Sequence, residues 1–388
     1  MKKATRIFAI LLTLVMVFSL VACSKNDSNQ NKQNDTGNAP VGDTLKIAVA
    51  LALTGGSAEQ GNQVKNSVKL AIKDINDAGG IDGKMVELVE YDDQADPKQS
   101  ATVANAIAAD ESILAVIGHT NSSCTLAGAA IYNNAGIPQI TCSSSSPAIS
   151  DAGEYTFRIW NSDAYTAAVH VETILNKGYK NVGVIYENND YGLGAYNVAV
   201  EKFGEAGIDI KVAESYLLGE TKDFTTILTK MKSAGVEAIF AIADETELPM
   251  IMSQADDLDY HPFVTSTGAY STTVLELGGD AVEGLYGATF FDPNNLPEDV
   301  AAYYDRYMKE YGVDAVTAPA CAGFISGNVI IDALKSGART RDEVRDYLDS
   351  GIVFETMVGT LSFDENGDTK IPLTRMVIQD GAFVGVTD

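Results

Sequence analysis

The sequence has few of the residues that build catalytic and metal centres. It contains three histidines, four cysteines and one tryptophan in 388 residues. The histidines His119, His170 and His261 do not have metal-ligand spacing. The motifs G-x-x-x-x-G-K-[ST], H-E-x-x-H and G-x-S-x-G are absent, so no reaction is indicated. The sequence therefore predicts a protein that has no catalytic residues, no bound metal and no cofactor.

Basic residues are also scarce. Lysine and arginine total 27 against 53 aspartates and glutamates, which gives a formal net charge of −26. A protein that binds nucleic acid neutralises phosphates with basic side chains, and this chain has no basic stripe to do so. We therefore expect no nucleic-acid partner.

Long hydrophobic runs are confined to the start of the chain. Three basic residues precede an apolar run over 7–21, which is too short for a typical spanning helix. The run ends in Leu-Val-Ala-Cys and resembles a bacterial lipobox. We predict a signal peptide over 1–22 and a lipid on Cys23. An ordinary secretory signal with an incidental cysteine is the alternative.

The segment that follows is polar and of low complexity. Residues 24–43 contain no aromatic side chain and bury too little surface to fold. We interpret 23–43 as a lipid anchor with a flexible tether, which as a coil would reach on the order of 25 Å. The globular body would then stand on the outer face of the cell membrane.

Three cysteines remain in that body: Cys124, Cys142 and Cys321. Because the number is odd, at least one of them stays free. Cys124 and Cys142 follow neighbouring predicted strands, and the sequence leaves open whether they pair.

From residue 45 the chain alternates short β-rich runs with stretches of helical periodicity. A first series predicts strands at 45–51, 85–92, 113–118 and 137–141 and helices at 58–78, from 96, and at 122–134. A second series predicts helices at 165–176, 191–205, 224–233 and 245–255 and strands at 181–187, 210–216, 237–243 and 262–267. Repeated β-α-β units form parallel sheets covered by helices.

The C-terminal third is less regular. It predicts helices at 297–311, 317–335 and 340–349, and a hairpin over 359–372 around Asn366-Gly367. The fold class is α/β, with two doubly wound, Rossmann-like lobes. We place lobe I at 44–161 and 293–370, and lobe II at 162–292 and 371–388. Three crossovers would join them, near residues 160–163, 291–294 and 370–372.

Small polar residues follow two of the predicted strands. Asn121 and two serines come after one strand, and Ser143–Ser146 come after the next. Ligands of open α/β sheets bind beyond the carboxyl ends of strands, and a helix N-terminus there favours an anion. Helix capping and turns are the alternative role for such residues. We favour a ligand site, because two caps need two hydroxyls and these clusters hold six.

These motifs also resemble a known family, the leucine/isoleucine/valine-binding proteins of ABC importers. The resemblance covers essentially the whole mature body. It rests on residues 54–107, on VIGHTNSS at 116–123, on ITCSSSSP at 140–147, on FRIWNSDAYTA at 157–167 and on NNDYGLGA at 188–195. It implies the type I periplasmic binding fold, an amino acid held in the cleft between the lobes, and delivery to an ABC permease by a monomer. The ligand-binding domains of metabotropic glutamate receptors share this fold.

The resemblance also implies roles for particular residues. Ser122 and Ser145 match hydroxyls that hold the ligand's α-carboxylate. Ser143 matches a residue whose backbone carbonyl accepts from the α-ammonium. Asp163 matches an acid that contacts this ammonium in the receptor branch, and Tyr191 matches a tyrosine that closes over the ligand.

The sequence departs from the family pattern at two other positions. Gln60 stands where an aromatic residue is usual, and a polar residue there weakens the prediction of an aliphatic ligand. Thr267 stands where an acidic ammonium partner is usual, and Asp244 or Asp163 would have to replace it. Trp160 and Tyr270 either line the side-chain pocket or pack at the hinge or core.

The sequence thus predicts an extracytoplasmic, lipid-anchored solute-binding protein. It would capture a small amino acid, branched-chain or related, and deliver it to an ABC permease. A ligand-sensing receptor of the same fold, a binder of a small amide or urea-like solute, and an enzyme built on this scaffold are the alternatives.

Overall fold

The structure is a computed structural model that describes residues 44–292, 294–313 and 316–386. The predicted signal peptide, the lipidation site Cys23 and the tether lie outside the described residues. Among the residues described, no helix combines the length and apolarity needed to cross a membrane.

The first lobe is built on a parallel sheet. Its strands are β1 (Leu45–Leu51), β2 (Val86–Asp92), β3 (Ile113–Gly118), β4 (Gln139–Thr141) and β5 (Thr156–Arg158). Its first helices are α1 (Ala58–Asp77), α2 (Pro97–Ala109) and α3 (Ser122–Ala135), with a 3-10 turn at Pro147–Asp151. The strand order is β2-β1-β3-β4-β5. Every residue of β3 is buried, as expected of a strand that helices cover on both faces.

The second lobe repeats this arrangement. Its helices are α4 (Asp163–Asn176), α5 (Asp190–Glu205), α6 (Thr225–Ser233), α7 (Glu247–Asp257) and α8 (Thr272–Gly278), with a 3-10 turn at Gly279–Val282. Its parallel strands are β6 (Val182–Glu187), β7 (Ile210–Tyr216), β8 (Ala238–Ile242), β9 (Phe263–Ser266) and β10 (Tyr286–Thr289).

The C-terminal part contributes to both lobes. It forms α9 (Glu298–Tyr311), α10 (Ala318–Lys335), α11 (Arg341–Leu348), β11 (Phe354–Thr356), β12 (Gly359–Leu361), β13 (Thr374–Gln379) and β14 (Ala382–Gly385). Helix α10 packs along α1 in the first lobe. Strands β13 and β14 extend the second sheet antiparallel, in the order β14-β13-β10-β9-β8-β6-β7. The predicted class, α/β with two lobes on parallel sheets, is confirmed.

The chain passes between the two sheets three times: after β5, after β10 and before β13. Two of the crossover segments are hydrogen-bonded to each other. The side-chain amide of Asn161 donates to the Ile371 carbonyl and accepts from the Ile371 amide, both at 2.8 Å. Trp160 on the first connection packs edge-on against Phe290 on the second, with ring centroids 4.6 Å apart. The exact lobe boundaries, 44–161 with 293–370 and 162–292 with 371–388, stay a prediction.

The prediction of a hairpin over 359–372 is wrong. Asn366-Gly367 does form a turn, in which the Gly367 amide donates to the Asp364 carbonyl and the Asp364 amide donates to the Asp368 carbonyl, but no pair of strands extends from it. The carbonyl of Gly367 accepts from Arg158 at the end of β5, so this segment runs beside the first sheet. The hairpin of this region lies earlier, between β11 and β12.

A buried arginine anchors that segment. Arg158 is fully buried, and its guanidinium donates two bonds to Asp368, of 2.8 and 2.6 Å. It also donates to the Ser146 carbonyl and the Ser150 hydroxyl, so its donors are matched by acceptors. Such a pair costs most when one partner alone is removed, since the other charge then stays buried and unpaired.

We expect Asp368→Asn to lower the free energy of unfolding by about 3 kcal/mol or more. The exposed pair between Arg345 and Asp346 provides a control. Asp346→Asn should cost less than about 1 kcal/mol, because water screens exposed ion pairs. Urea unfolding of both variants measures the difference, and equal costs would refute the anchoring role.

Candidate ligand-binding cleft

A cavity of about 130 Å³ lies between the lobes, beyond the carboxyl ends of the strands of both sheets. That volume suits a small molecule, since an apolar cavity of about 150 Å³ in another protein binds benzene. All nine residues predicted as ligand contacts line it: Gln60, Asn121, Ser122, Ser143, Ser145, Asp163, Tyr191, Asp244 and Thr267. Whether they bind a ligand stays a prediction.

The N-terminus of α3 opens into this cavity. Asn121 stands at its N-cap position, but its side chain does not cap the helix and donates to Ser57 instead. The Ser122 hydroxyl accepts from the Ser146 amide at 3.2 Å, which leaves its own proton free to donate. First-turn amides and a free hydroxyl proton form a binding point for a carboxylate.

The serines after β4 have different tasks. The Ser143 hydroxyl donates to the Thr120 carbonyl at 2.9 Å, which fastens the loop after β4 to the loop after β3. Ser144 is buried and shares its hydroxyl with Thr125 and Thr120, so it holds the same two loops together. The Ser145 hydroxyl donates to Asp163 at 2.8 Å. In this arrangement the Ser145 proton serves the carboxylate rather than an anionic ligand.

Asp163 is the most unusual group in the cavity. It is fully buried at the start of α4, and Oδ2 accepts from Ser145. Its Oδ1 has no hydrogen-bond partner within the described part of the chain. Burial raises the pKa of Asp163 to about 7, although the Ser145 bond and the charge of Arg158 oppose the rise. A buried carboxylate oxygen that lacks a donor is a binding point for an ammonium group.

The second lobe contributes Tyr191 and Thr267, whose hydroxyls are hydrogen-bonded to each other. Asp244 follows β8, and burial raises its pKa well above the ordinary value, with further contributions from Glu187 and Glu245. The pKa of Tyr191 is raised by burial and then by the charges of Asp244 and Asp163. This side of the cavity therefore places several acidic groups within electrostatic reach of one another.

The two lobes touch across the mouth of the cleft. Thr273 of α8 donates to Glu59 of α1 at 2.7 Å. The Asp190 amide at the start of α5 donates to the Ser123 hydroxyl at 3.2 Å. The lobes are thus closed over the cavity, and a molecule inside would contact both of them.

Comparisons with known proteins agree with this geometry. The periplasmic binding protein family matches residues 44–382. The Leu/Ile/Val-binding protein homolog 1 of Brucella suis biovar 1 (strain 1330) is 31% identical over 84% of this chain and 88% of its own length. The chain belongs to the periplasmic binding protein family. The resemblance to the leucine/isoleucine/valine-binding proteins is confirmed, and the chain is a solute-binding component of transport rather than an enzyme.

Solved structures of the family have the same fold. The leucine-binding protein LivK of Thermotoga maritima MSB8 superimposes with a TM-score of 0.81 at 27% identity, over 89% of this chain and 98% of that one. The branched-chain amino acid binding protein LivJ of Streptococcus pneumoniae, in complex with isoleucine, gives 0.80 at 25% identity, over 88% and 99%. Both agree with the type I periplasmic binding fold.

Two residues whose role the sequence leaves open, and two acidic residues that it does not predict, also line the cavity. Trp160 and Tyr270 both line the cavity and also pack on other aromatic rings, so they fit both of the roles left open. Glu59 and Glu245 were not predicted, although each adjoins a predicted residue. Glu245 had been assigned to the start of a helix, but α7 begins at Glu247, which leaves it in the loop after β8. The three cysteines of the body are buried and unpaired, so Cys124 and Cys142 do not form a disulfide.

The raised pKa of Asp163 predicts a pH dependence of stability. The unfolded chain loses this proton near pH 3.8, whereas the unliganded fold keeps it to about pH 7. The fold therefore binds more protons across that window, and its stability falls as pH rises through it. A shift from 3.8 to about 7 makes this loss on the order of 3 kcal/mol between pH 5 and pH 8.

Urea unfolding at pH 5 and pH 8 tests this expectation. Asp163→Asn should remove part of the fall in stability between pH 5 and pH 8. The rest should remain, because Asp244, Glu187 and Glu245 also have raised pKa values. Asp223 is the control, since its pKa is lowered by hydrogen bonds from Thr225 and its removal should not flatten the profile. Parallel profiles for the wild type and Asp163→Asn would contradict the prediction.

Proposed function

We propose that the protein captures a small amino acid in the interlobe cleft, outside the cytoplasm, and delivers it to an ABC permease. The observation that carries the proposal is the pairing of opposite binding points in one cavity. The uncapped N-terminus of α3 with Ser122 suits an α-carboxylate, and the unpartnered Oδ1 of Asp163 suits an α-ammonium. An amino acid carries both groups on one carbon atom.

The remaining contacts follow from this orientation. The Ser143 carbonyl would accept a second hydrogen bond from the ammonium. Tyr191 and Thr267 would close on the ligand from the second lobe, and Gln60 would face it from α1. Asn121 keeps an amide oxygen without a partner among the described residues, which suits another ligand proton. The aromatic rings of Trp160, Tyr270 and Phe290 supply an apolar wall.

The relatives support an amino acid as the ligand class. The Brucella suis relative is named for leucine, isoleucine and valine, and the Streptococcus pneumoniae structure contains isoleucine. A ligand that contacts both lobes also favours the closed form by its differential affinity. A permease would then distinguish loaded from unloaded receptor by its shape. We propose that the receptor acts as a monomer, which leaves both lobes free for the permease.

Ligand binding should raise the apparent stability by roughly 2.7 kcal/mol at a hundredfold excess over Kd. A thermal-shift screen of the twenty amino acids, small amides and urea identifies the ligand class. Ser122→Ala and Asp163→Asn should each remove most of the shift, because each deletes a binding point for one charged end.

Ser162→Ala is the matched control for these two variants. Ser162 precedes Asp163, and its hydroxyl caps α4 by accepting from the Ala164 amide. The substitution should lower the unliganded melting temperature, at a cost of about 1 kcal/mol, and leave the ligand-induced shift intact. Normal binding by both site variants would overturn the assignment of these residues.

We also propose that Cys23 carries the lipid that holds the protein at the membrane, with 23–43 as its tether. Cys23→Ala should move the protein from the membrane fraction to the soluble fraction or the medium. Fractionation and labelling with a radioactive fatty acid measure the change. A variant that stays in the membrane fraction would point to another mode of attachment.

A further inference from the structure

We propose that the ligand carries a second positive charge, in its side chain, and that Asp244 and Glu245 bind it. The ligand class is then a diamino or guanidino acid such as lysine, ornithine or arginine. This inference rests on the amino acid function proposed above and names the side chain that the cleft selects.

The first argument is the balance of charge in the cavity. Among the described residues, its lining includes four acidic residues and no lysine, arginine or histidine. They are Glu59, Asp163, Asp244 and Glu245. A monoamino acid brings one ammonium, which pairs with Asp163, and one carboxylate, which adds a further negative charge. Asp244 and Glu245 are half-buried, and a ligand that fills the cavity would cover them without supplying a counter-ion. Charges taken out of water in this way are normally paired.

The second argument is that protein groups do not supply the missing partners. The side chain of Asp244 makes no hydrogen bond or ion pair with any residue in the described ranges. The nearby Glu247 differs, because it accepts from the Gly219 amide and lies 3.7 Å from Lys222. Asp244 is therefore set apart from Glu247, the neighbouring acid whose carboxylate is bound within the fold.

The third argument is independent of the acidic residues. Thr289 is only 3% exposed and lines the same cavity, and its hydroxyl has no hydrogen-bond partner among the described residues. The Thr166 hydroxyl is in the same situation. Buried polar atoms of this kind indicate a polar ligand with more groups than a branched-chain amino acid offers.

The position of the acidic pair also fits a long side chain. Asp244 and Asp163 both raise the pKa of Tyr191, so this ring lies within electrostatic reach of both carboxylates. Burial raises the pKa of Glu245, and the charge of Glu59 on the opposite lobe adds to the rise. Closing the cleft therefore brings these two like charges towards each other. A cationic group next to them would offset this repulsion. Trp160 and Phe290 provide apolar surface for the methylene groups between the two charged ends.

Isothermal titration with lysine and norleucine tests the inference, because norleucine has the lysine carbon chain without its amine. The mature chain is first unfolded and refolded to remove any ligand carried through purification. We expect lysine to bind at least about tenfold more tightly than norleucine, as expected for a partly desolvated charge pair. Asp244→Asn and Glu245→Gln should each remove most of that preference, because each should weaken lysine binding far more than norleucine binding.

Glu237→Gln is the matched control, since Glu237 is an exposed acid that adjoins the opposite end of β8. It should leave both affinities unchanged, which separates a local contact from the general effect of net charge. Unliganded melting curves of all three variants establish that they fold.

The other outcomes have distinct meanings. Equal affinities for lysine and norleucine would overturn the inference while leaving the amino acid function in place. If Asp244→Asn weakens the binding of lysine and of norleucine equally, the inference is also overturned, because Asp244 would then contact the α-ammonium that both ligands share. If no amino acid binds, the proposed function fails, and this inference fails with it.

Discussion

The cleft depends on a carboxylate that the fold buries without a full set of partners. Asp163 lies at the start of α4, where the chain has just left the first lobe, and it has one donor, Ser145, for its two oxygens. Ionising such a group in the closed protein is unfavourable until a cation arrives. Under the proposed function, the same residue would weaken the unliganded closed form and strengthen the liganded one, as a receptor that responds to its ligand requires.

The hydrogen bonds of the serine clusters show how the fold prepares this site. Ser143 and Ser144 tie the loop after β4 to the loop after β3, and neither hydroxyl is needed to cap a helix. The position of the α3 N-terminus is therefore fixed by bonds within one lobe before any ligand binds. Preorganisation of this kind reduces the ordering cost of binding. The second lobe then adds Tyr191 and Thr267 only when the cleft closes.

Much of this could be predicted from the sequence, for identifiable reasons. Strand β3 is a continuous apolar run and α1 has a periodic apolar face, so their positions followed from pattern alone. Polar residues next to strand ends then led to the cleft, because parallel strands end at one edge of a sheet. Strands β5 and β10 were missed because each is short and directly precedes a crossover, where the repeated β-α-β pattern is interrupted.

Other parts of the site depend on contacts between distant segments. Thr317 reaches the cleft because its amide and hydroxyl both donate to Gln63 on α1, a contact between residues far apart in sequence. The Asn366-Gly367 turn was predicted, but the residues around it pair with the end of β5 instead of forming a hairpin. Local signals gave the turn, and only tertiary packing decided what it pairs with.

The paired hydrogen bonds between Asn161 and Ile371 have a mechanical consequence. Two of the three connecting segments are hydrogen-bonded side by side, so they bend together as one unit. Opening and closing is thereby restricted to a rotation about one axis, with little sliding or twisting. The lobes then return to the same relative placement each time the cleft closes.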